Sequence, residues 1–287
     1  MEYALQVENL CKSYKNTDFK LENVSIAIPK GTIMGFVGKN GAGKSTTINT
    51  ILNIIHKDSG DVKFFGQEMT DDNKKIRDDV GVVFDSSNFY GELTPKKLEK
   101  VFSDLYSNWD KRLFEEFLER FNIPKNKKIK TFSRGMLMKL SIGAALSHQA
   151  KLLILDEATA GLDPVVREEI LDVFLEFVED ENNSILISSH ISSDLEKISD
   201  YITFIDNGKI ILTEAKDTLI YEYGIARCKQ SDFDSFEQSE YISYRKRGLQ
   251  LEVLVSDKVK FAKNHPNVIV DHVTIDELLP LIIQEDN

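Results

Sequence analysis

The sequence predicts an α/β protein with an N-terminal antiparallel β-subdomain, an inserted α-helical subdomain and a small C-terminal α+β extension. Three features carry that expectation. Ile33-Met34-Gly35-Phe36-Val37 and Leu152-Leu153-Ile154-Leu155-Asp156 are short apolar runs of the kind that form strands buried on both faces. Residues from about 90 to 148, which lie between them, show helical periodicity. The N-terminal segments Tyr3–Val7 and Val24–Ile28 alternate or run apolar, as strands do.

The first apolar strand leads into Gly38-Lys39-Asn40-Gly41-Ala42-Gly43-Lys44-Ser45-Thr46, and the helix opening at Lys44 carries Ile48, Ile51, Leu52 and Ile55 on one face. A glycine, four residues and then Gly-Lys-Ser, set between a strand and a helix, is the P-loop pattern, so the core is that of a P-loop NTPase. Glycines at 38, 41 and 43 let backbone N–H groups curl around phosphate oxygens that a Cβ would hold away. The helix N-terminus adds the positive end of its dipole. Asn40 and Thr46 complete the predicted cradle, Lys44 is placed to reach the β- and γ-phosphates, and Ser45 to ligate Mg²⁺. A nucleoside triphosphate is the predicted ligand.

Composition narrows the class. A chain of 287 residues with 41% apolar and 29% charged residues suits one main globular domain plus a smaller one. Net charge −11 argues against a nucleic-acid surface. Cys11 and Cys228 have no metal or redox spacing, which fits thiols in a reducing compartment. No apolar run reaches membrane-span length and the N-terminus does not open a signal peptide. The expected location is therefore cytoplasmic, with any membrane role requiring another chain.

Taken in order, Tyr14 stands where the chain turns back before the P-loop strand, and the expectation is an aromatic shelf for adenine. Gly60–Gly66 is a glycine-bounded strand, and Val80–Phe84 a buried one ending at Asp85-Ser86-Ser87-Asn88. Thr94 followed by Pro95 is a helix start, with Leu98, Val101, Phe102 and Leu105 as its apolar stripe. Asp110 starts a second helix with Phe114, Phe117, Leu118 and Phe121 inward. The Lys-rich link 125–130, read as a solvated loop, leads to Phe132-Ser133-Arg134-Gly135-Met136 and a third helix.

Leu152–Asp156 is followed by Glu157, so two carboxylates stand at the C-terminal end of a buried strand, the edge where an open α/β sheet places its ligand. Asp156 is expected to hold Mg²⁺ through water together with Ser45, and Glu157 to orient or deprotonate the attacking water. Asn183-Ser184-Ile185-Leu186-Ile187-Ser188-Ser189 forms the next strand and ends at His190, which its neighbours aim at the same place.

Read together, these stretches resemble the ATP-binding subunit of an ABC transporter over about residues 1–216. Gly38–Thr46 is similar to the family's Walker A motif, and Leu152–Glu157 to its Walker B motif with the catalytic glutamate. Ala160-Gly161-Leu162-Asp163 resembles the D-loop, His190 the switch histidine, and Ser133-Arg134-Gly135-Met136 lies in the signature position. The resemblance implies ATP and Mg²⁺ as ligands. It implies a dimer with a second ATP-binding subunit, in which Ser133 and Gly135 of one chain, with Asp163 nearby, face the P-loop of the other. Separate transmembrane permease subunits would then insert a coupling helix in a groove lined by residues 84–90, holding the chain on the cytoplasmic side of the membrane.

Two motifs depart from the family's form. The signature is usually Leu-Ser-Gly-Gly-Gln, whereas Ser-x-Gly-Met with a basic x is similar to ATPases of ABC-2 type exporters of drugs, peptides and lipids. Asp85 stands where the Q-loop has glutamine; it can accept from water or approach Mg²⁺ but cannot donate as an amide does. Arg134 of the other subunit is one partner that would offset its charge.

The last strands of the core are expected from Tyr201 to Leu212, joined by Asp206-Asn207-Gly208. Residues 217–287 predict a short helix, strands near 241–245 and 249–255, and, led into by Val268–Val273, a final helix behind the capping box Thr274–Glu277, which Pro280 should kink or end early. This extension resembles that of exporter-type ATPases. Arg245-Lys246-Arg247-Gly248 reads as a solvated hairpin tip in preference to a lipid contact. The expected function is an ATPase that powers export of a peptide, drug or lipid. An importer ATPase would share every motif apart from the Ser-x-Gly-Met signature and the tail. A soluble ABC ATPase would show two P-loops or a long heptad insertion, and a non-hydrolysing sensor would not need both Glu157 and His190.

Overall fold

The computed structural model describes residues 2–69, 73–86 and 89–283. Strands β1 (Tyr3–Ser13) and β2 (Lys20–Pro29) form a hairpin, and β3 (Ile33–Val37) runs through the glycine loop into α1 (Lys44–Ile51). Then come β4 (Ser59–Phe64), β5 (Gln67–Glu68), α2 (Lys74–Asp79) and β6 (Val80–Phe84). Three helices follow, α3 (Pro95–Leu105), α4 (Lys111–Arg120) and α5 (Arg134–Leu146). The chain returns through β7 (Leu152–Asp156), α6 (Pro164–Val178), β8 (Ser184–Ser189), α7 (Ser192–Ile198), β9 (Tyr201–Asp206) and β10 (Lys209–Ala215). It continues with α8 (Lys216–Tyr221), β11 (Gly224–Cys228), α9 (Gln230–Phe233), β12 (Ser243–Arg247), β13 (Gln250–Val255), α10 (Lys258–Asn264), β14 (Ile269–Asp271) and α11 (Ile275–Ile282).

The central sheet has the order β10-β9-β3-β8-β7-β6, parallel except for β10. Its strands β3, β7 and β8 are buried along their whole length, so their apolar runs pack on both faces. Register matters more than order here. Phe84 pairs with Asp156 and Asp156 with Ser188, while Val37 pairs with Ser189. The ends of β3, β6, β7 and β8 are therefore flush, and the loops after them open on one edge. An antiparallel sheet, β2-β1-β4-β5, packs its buried Leu5, Val7, Val24 and Ile26 against Ile48 and Ile51 of α1.

Helices α3 to α5 share an apolar cluster with the other face of the central sheet, built on Phe114, Leu118, Leu140 and Ile142. Side-chain caps start these helices where the sequence predicts: Thr94, Asp110 and Ser133 each accept from a backbone N–H three residues on. Such a cap stabilises by about 1 kcal/mol. The stripe expected on α3 is only partly buried, with Leu98 inside while Val101 and Leu105 are 48% and 55% exposed. The Lys-rich link is tied down, since Lys128 and Lys130 both pair with Glu92.

The C-terminal sheet, β12-β13-β11-β14, is antiparallel. Helix α2, strand β11 and helix α10 carry no strong period and were not expected. Pro280 does not end α11 at once: the helix runs on to Ile282, and Leu281 and Ile282 beyond the proline are buried and hold the last turn in the core. The hairpin tip is solvated as expected, with Lys246, Arg247 and Gly248 exposed, while Arg245 and Arg247 both bind Glu252, which is 3% exposed. A buried carboxylate needs such partners.

Candidate active site

The glycine loop follows β3 and wraps the start of α1. An added Cβ at Gly38 would stand 2.5 Å from the Ile205 carbonyl oxygen, so the loop lies against β9 too closely for any side chain there. Gly43 sits at φ +114°, a left-handed conformation other residues rarely adopt, and its Cβ would meet the Phe19 ring at 3.1 Å. No side chain caps α1, which leaves its N-terminal N–H groups for an anion. Lys44 is 6% exposed. Its ammonium donates to the Gly38 carbonyl at 2.7 Å and to that of Lys39 at 3.4 Å, and lies 3.4 Å from Glu157 Oε1.

Asp156 ends β7 and its Oδ1 accepts from Ser188 Oγ on the adjacent strand at 2.6 Å. Glu157 then leaves the strand at φ +55°. That is the left-handed region, costly for a residue with a Cβ, and such strain collects at functional sites. Two bonds hold it: the Glu157 N–H donates to the Ser188 carbonyl at 3.2 Å and to Ser188 Oγ at 3.0 Å. The turn aims the carboxylate between two groups, with Lys44 on Oε1 and His190 Nδ1 hydrogen-bonded to Oε2.

Asn40, Gly41, Gly43, Lys44, Ser45, Thr46, Asp85, Glu157 and His190 line one cavity of about 700 Å³. Phe19, Lys39, Arg134, Ala160 and Gly161 complete its wall. A cavity of similar size, about 710 Å³, lies at the opposite edge, beside Lys30, Asp79, Lys151 and Asn183 at the starts of the parallel strands. The chemistry belongs to the first, because it holds the glycine cradle and stands at the carboxyl ends of the strands.

Six predicted residues do not line it: Gly38 and Asp156, which bond to Lys44 and Ser188 behind the wall, and four others. Ser133 and Asp163 serve as N-caps of α5 and α6, and Gly135 faces Val166. Tyr14 lies with Lys15, Asn16 and Thr17 in a shallow hollow on the far side of Phe19, with the Lys12 ammonium 5.6 Å from its ring centre. Asp85 forms an ion pair with Arg134 of its own chain, where the sequence suggests the Arg134 of a second subunit. The Arg134 guanidinium lies against Gly161, where a Cβ would be 3.1 Å from Nη1. Ser87 and Asn88, expected in the groove after Asp85, lie outside the described residues.

Sequence reasoning passed over Phe19 and Ser188. Phe19 has no motif around it, whereas Ser188 sits in a hydroxyl pair at the end of the strand beside the acidic one, a signal that was available. Among the described residues no cluster of three or more His, Cys, Asp and Glu could hold a metal alone. A cation here would need oxygens from its ligand as well as from the protein.

The pattern that defines the ABC transporter family matches residues 21–160. The chain is 32% identical over 236 residues to the bacitracin transport ATP-binding protein BcrA of Enterococcus faecalis, covering 82% of this chain and 75% of that protein. It is 37% identical over 216 residues to the lantibiotic transport ATP-binding protein SrtF of Streptococcus pyogenes, covering 74% and 91%. The fold superposes on a solved ATP-binding subunit of an ABC transporter with a TM-score of 0.68 at 26% identity, covering 75% of this chain and 91% of that one. With a phosphate cradle, a buried lysine and a poised carboxylate on the matched edge, the chain belongs to the ABC transporter family of ATP-binding proteins.

Proposed function

We propose that this chain powers export of a peptide-like substrate through separate transmembrane permease subunits, from the cytoplasmic face of the membrane. Binding and hydrolysis of ATP come with the family; the direction of transport, the cargo and the assembly are the proposal. The export reading is supported by the Ser133-Arg134-Gly135-Met136 signature and by relatives named for bacitracin and lantibiotic transport. In keeping with a peripheral role, no helix among the described residues is long and apolar enough to cross a membrane. We propose further that residues 1–216 form the nucleotide-binding domain, with its helical insert at about 90–148, and 217–287 an accessory extension.

The observation that carries the hydrolytic reading is the Glu157 carboxylate held between Lys44 and His190. A triphosphate entering the cradle offers Lys44 oxygens of higher charge than the loop carbonyls it now holds, which frees Glu157 to orient or deprotonate water. His190 then holds the carboxylate in place and faces the charge that develops on the γ-phosphate. The hydroxyl of Ser45 and the Ser188-bound carboxylate of Asp156 are hard oxygen donors and fit Mg²⁺, which when bound neutralises phosphate charge. A second ATP-binding subunit would present its Ser133 and Gly135 to this cavity, since neither residue lines the cavity of its own chain.

The test is purification of the native complex from membranes, identification of its partner chains, and transport in vesicles. Partner chains that are permeases, with ATP-driven efflux of a peptide antibiotic, are expected. ATP-driven uptake, or partners that are ribosomal, would overturn the reading.

A further inference from the structure

Helices α7 and α11 are tied to each other by two hydrogen bonds. Helix α7 starts without a side-chain cap of its own. Its first residue, Ser192, is 4% exposed, and its hydroxyl donates to Asp276 of α11 at 2.5 Å. In return the N–H of Ile275, the first residue of α11, donates to Glu196 of α7 at 2.6 Å. Around this exchange Leu195 and Ile198 share an apolar cluster with Ile275 and Leu278. A carboxylate beside each helix start also meets the positive end of its dipole.

This junction lies one residue from the catalytic edge. His190 ends the segment after β8, and only Ile191 separates it from Ser192. On the upstream side Ser189 Oγ accepts from the Ile191 N–H at 2.9 Å. The downstream side is held by the Asp276 bond to Ser192. His190 thus stands between two fixtures, one from its own strand and one from the C-terminal extension. We propose that Asp276 is a positioning residue for ATP hydrolysis, bracing His190 against Glu157 from outside the nucleotide-binding core. The α7–α11 junction makes the C-terminal extension part of the hydrolytic machinery, and this rests on the role given to His190 above.

The experiment compares Asp276→Ala and Asp276→Asn in the full chain, following turnover, ATP affinity and the imidazole NMR signals of His190. Asparagine keeps an oxygen that can accept from Ser192. Asp276→Ala is expected to lower kcat about 3- to 10-fold, the scale of a lost orienting contact and below the 10²–10⁴-fold of a lost general base. ATP Kd should stay unchanged, because the glycine cradle is untouched. The His190 signals should shift in Asp276→Ala, and Asp276→Asn should restore both kcat and the signals. Should Asp276→Ala fail to fold, Ser192→Ala removes the same bond from the other side and is read the same way. An unmoved His190 signal, or a kcat equal to the parent's, overturns the brace. Full turnover in His190→Ala would overturn the role of the histidine itself, a separate failure.

Discussion

Asp85, at the position expected for the Q-loop glutamine, and Arg134, one of the positions where the expected signature differs from Leu-Ser-Gly-Gly-Gln, are bound to each other within one chain. The pair joins the end of β6 to the start of α5 across the mouth of the nucleotide cavity, and Arg134 covers Gly161 as it does so. A carboxylate beside phosphates costs affinity unless something offsets it, and the guanidinium is in place to do that. Both side chains are about half exposed, 50% and 53%, so water screens much of the attraction.

Removing one member at a time separates charge matching from nucleotide binding. Asp85→Ala should leave ATP affinity within a few-fold while lowering permease-stimulated hydrolysis and transport. Arg134→Ala should weaken ATP binding about two- to fivefold, the scale of an exposed ion pair, by leaving Asp85 unpaired. The double variant should recover that affinity. Isothermal titration with a non-hydrolysable ATP analogue reads all three, and an Arg134→Ala affinity equal to the parent's removes the pair from nucleotide binding.

Glu157→Gln should keep ATP binding and lose turnover by about 10²–10⁴-fold, the usual cost of removing a positioned general base. Loss of the Oε charge also unpairs Lys44, which then has only the loop carbonyls and phosphate to bind, so ATP affinity should not fall. Single-turnover hydrolysis within tenfold of the parent would sink the assignment. The same variant should be dimeric with ATP and Mg²⁺ and largely monomeric without, as light scattering can check.

Phe19, not Tyr14, packs on the glycine loop and lines its cavity. If a base stacks at this edge, Phe19→Ala should weaken ATP binding by the cost of one lost stacking platform, about 1–3 kcal/mol. Tyr14→Ala should have a smaller effect, through Phe19. Equal losses from the two, measured by fluorescent nucleotide titration, would show that the rings act together.

The contrast marks what the chain's one-dimensional order can reveal. The parallel core was legible because β3, β7 and β8 each carry a short apolar run, and the cavity because its cradle and carboxylates follow the strand ends at short spacing. Which aromatic reaches the loop depends on how the β1–β2 hairpin folds back, and no local pattern encodes that. The pairing of Asp85 with Arg134 was expected between subunits and packing places it within one chain, whereas the Ser192–Asp276 bond joins segments far apart in sequence that only tertiary packing brings together. The small elements missed, such as α2 and α10, bury few apolar side chains: α2 puts only Ile76 and α10 only Phe261 in the core. Helices that short hold through tertiary contact more than through their own propensity.

His148 gives the fold a pH response away from the active site. It is 1% exposed, stacks on Tyr106 with ring centres 4.2 Å apart, and its Nδ1 is 2.9 Å from the Asp78 carbonyl oxygen. Burial holds its pKa below the ordinary histidine value, outweighing the bond and charge of Asp78. The unfolded chain therefore takes up the proton first as pH falls. Stability from this site is fully present above the unfolded value of about 6.5 and is lost below it, down to the depressed folded value. His148→Phe keeps a flat ring against Tyr106 and cannot be protonated. Although it gives up the Asp78 bond, it should flatten the fall in melting temperature between about pH 6.5 and 5. Parallel melting curves across that range, with the variant losing as much as the parent, would assign the acid sensitivity to other groups.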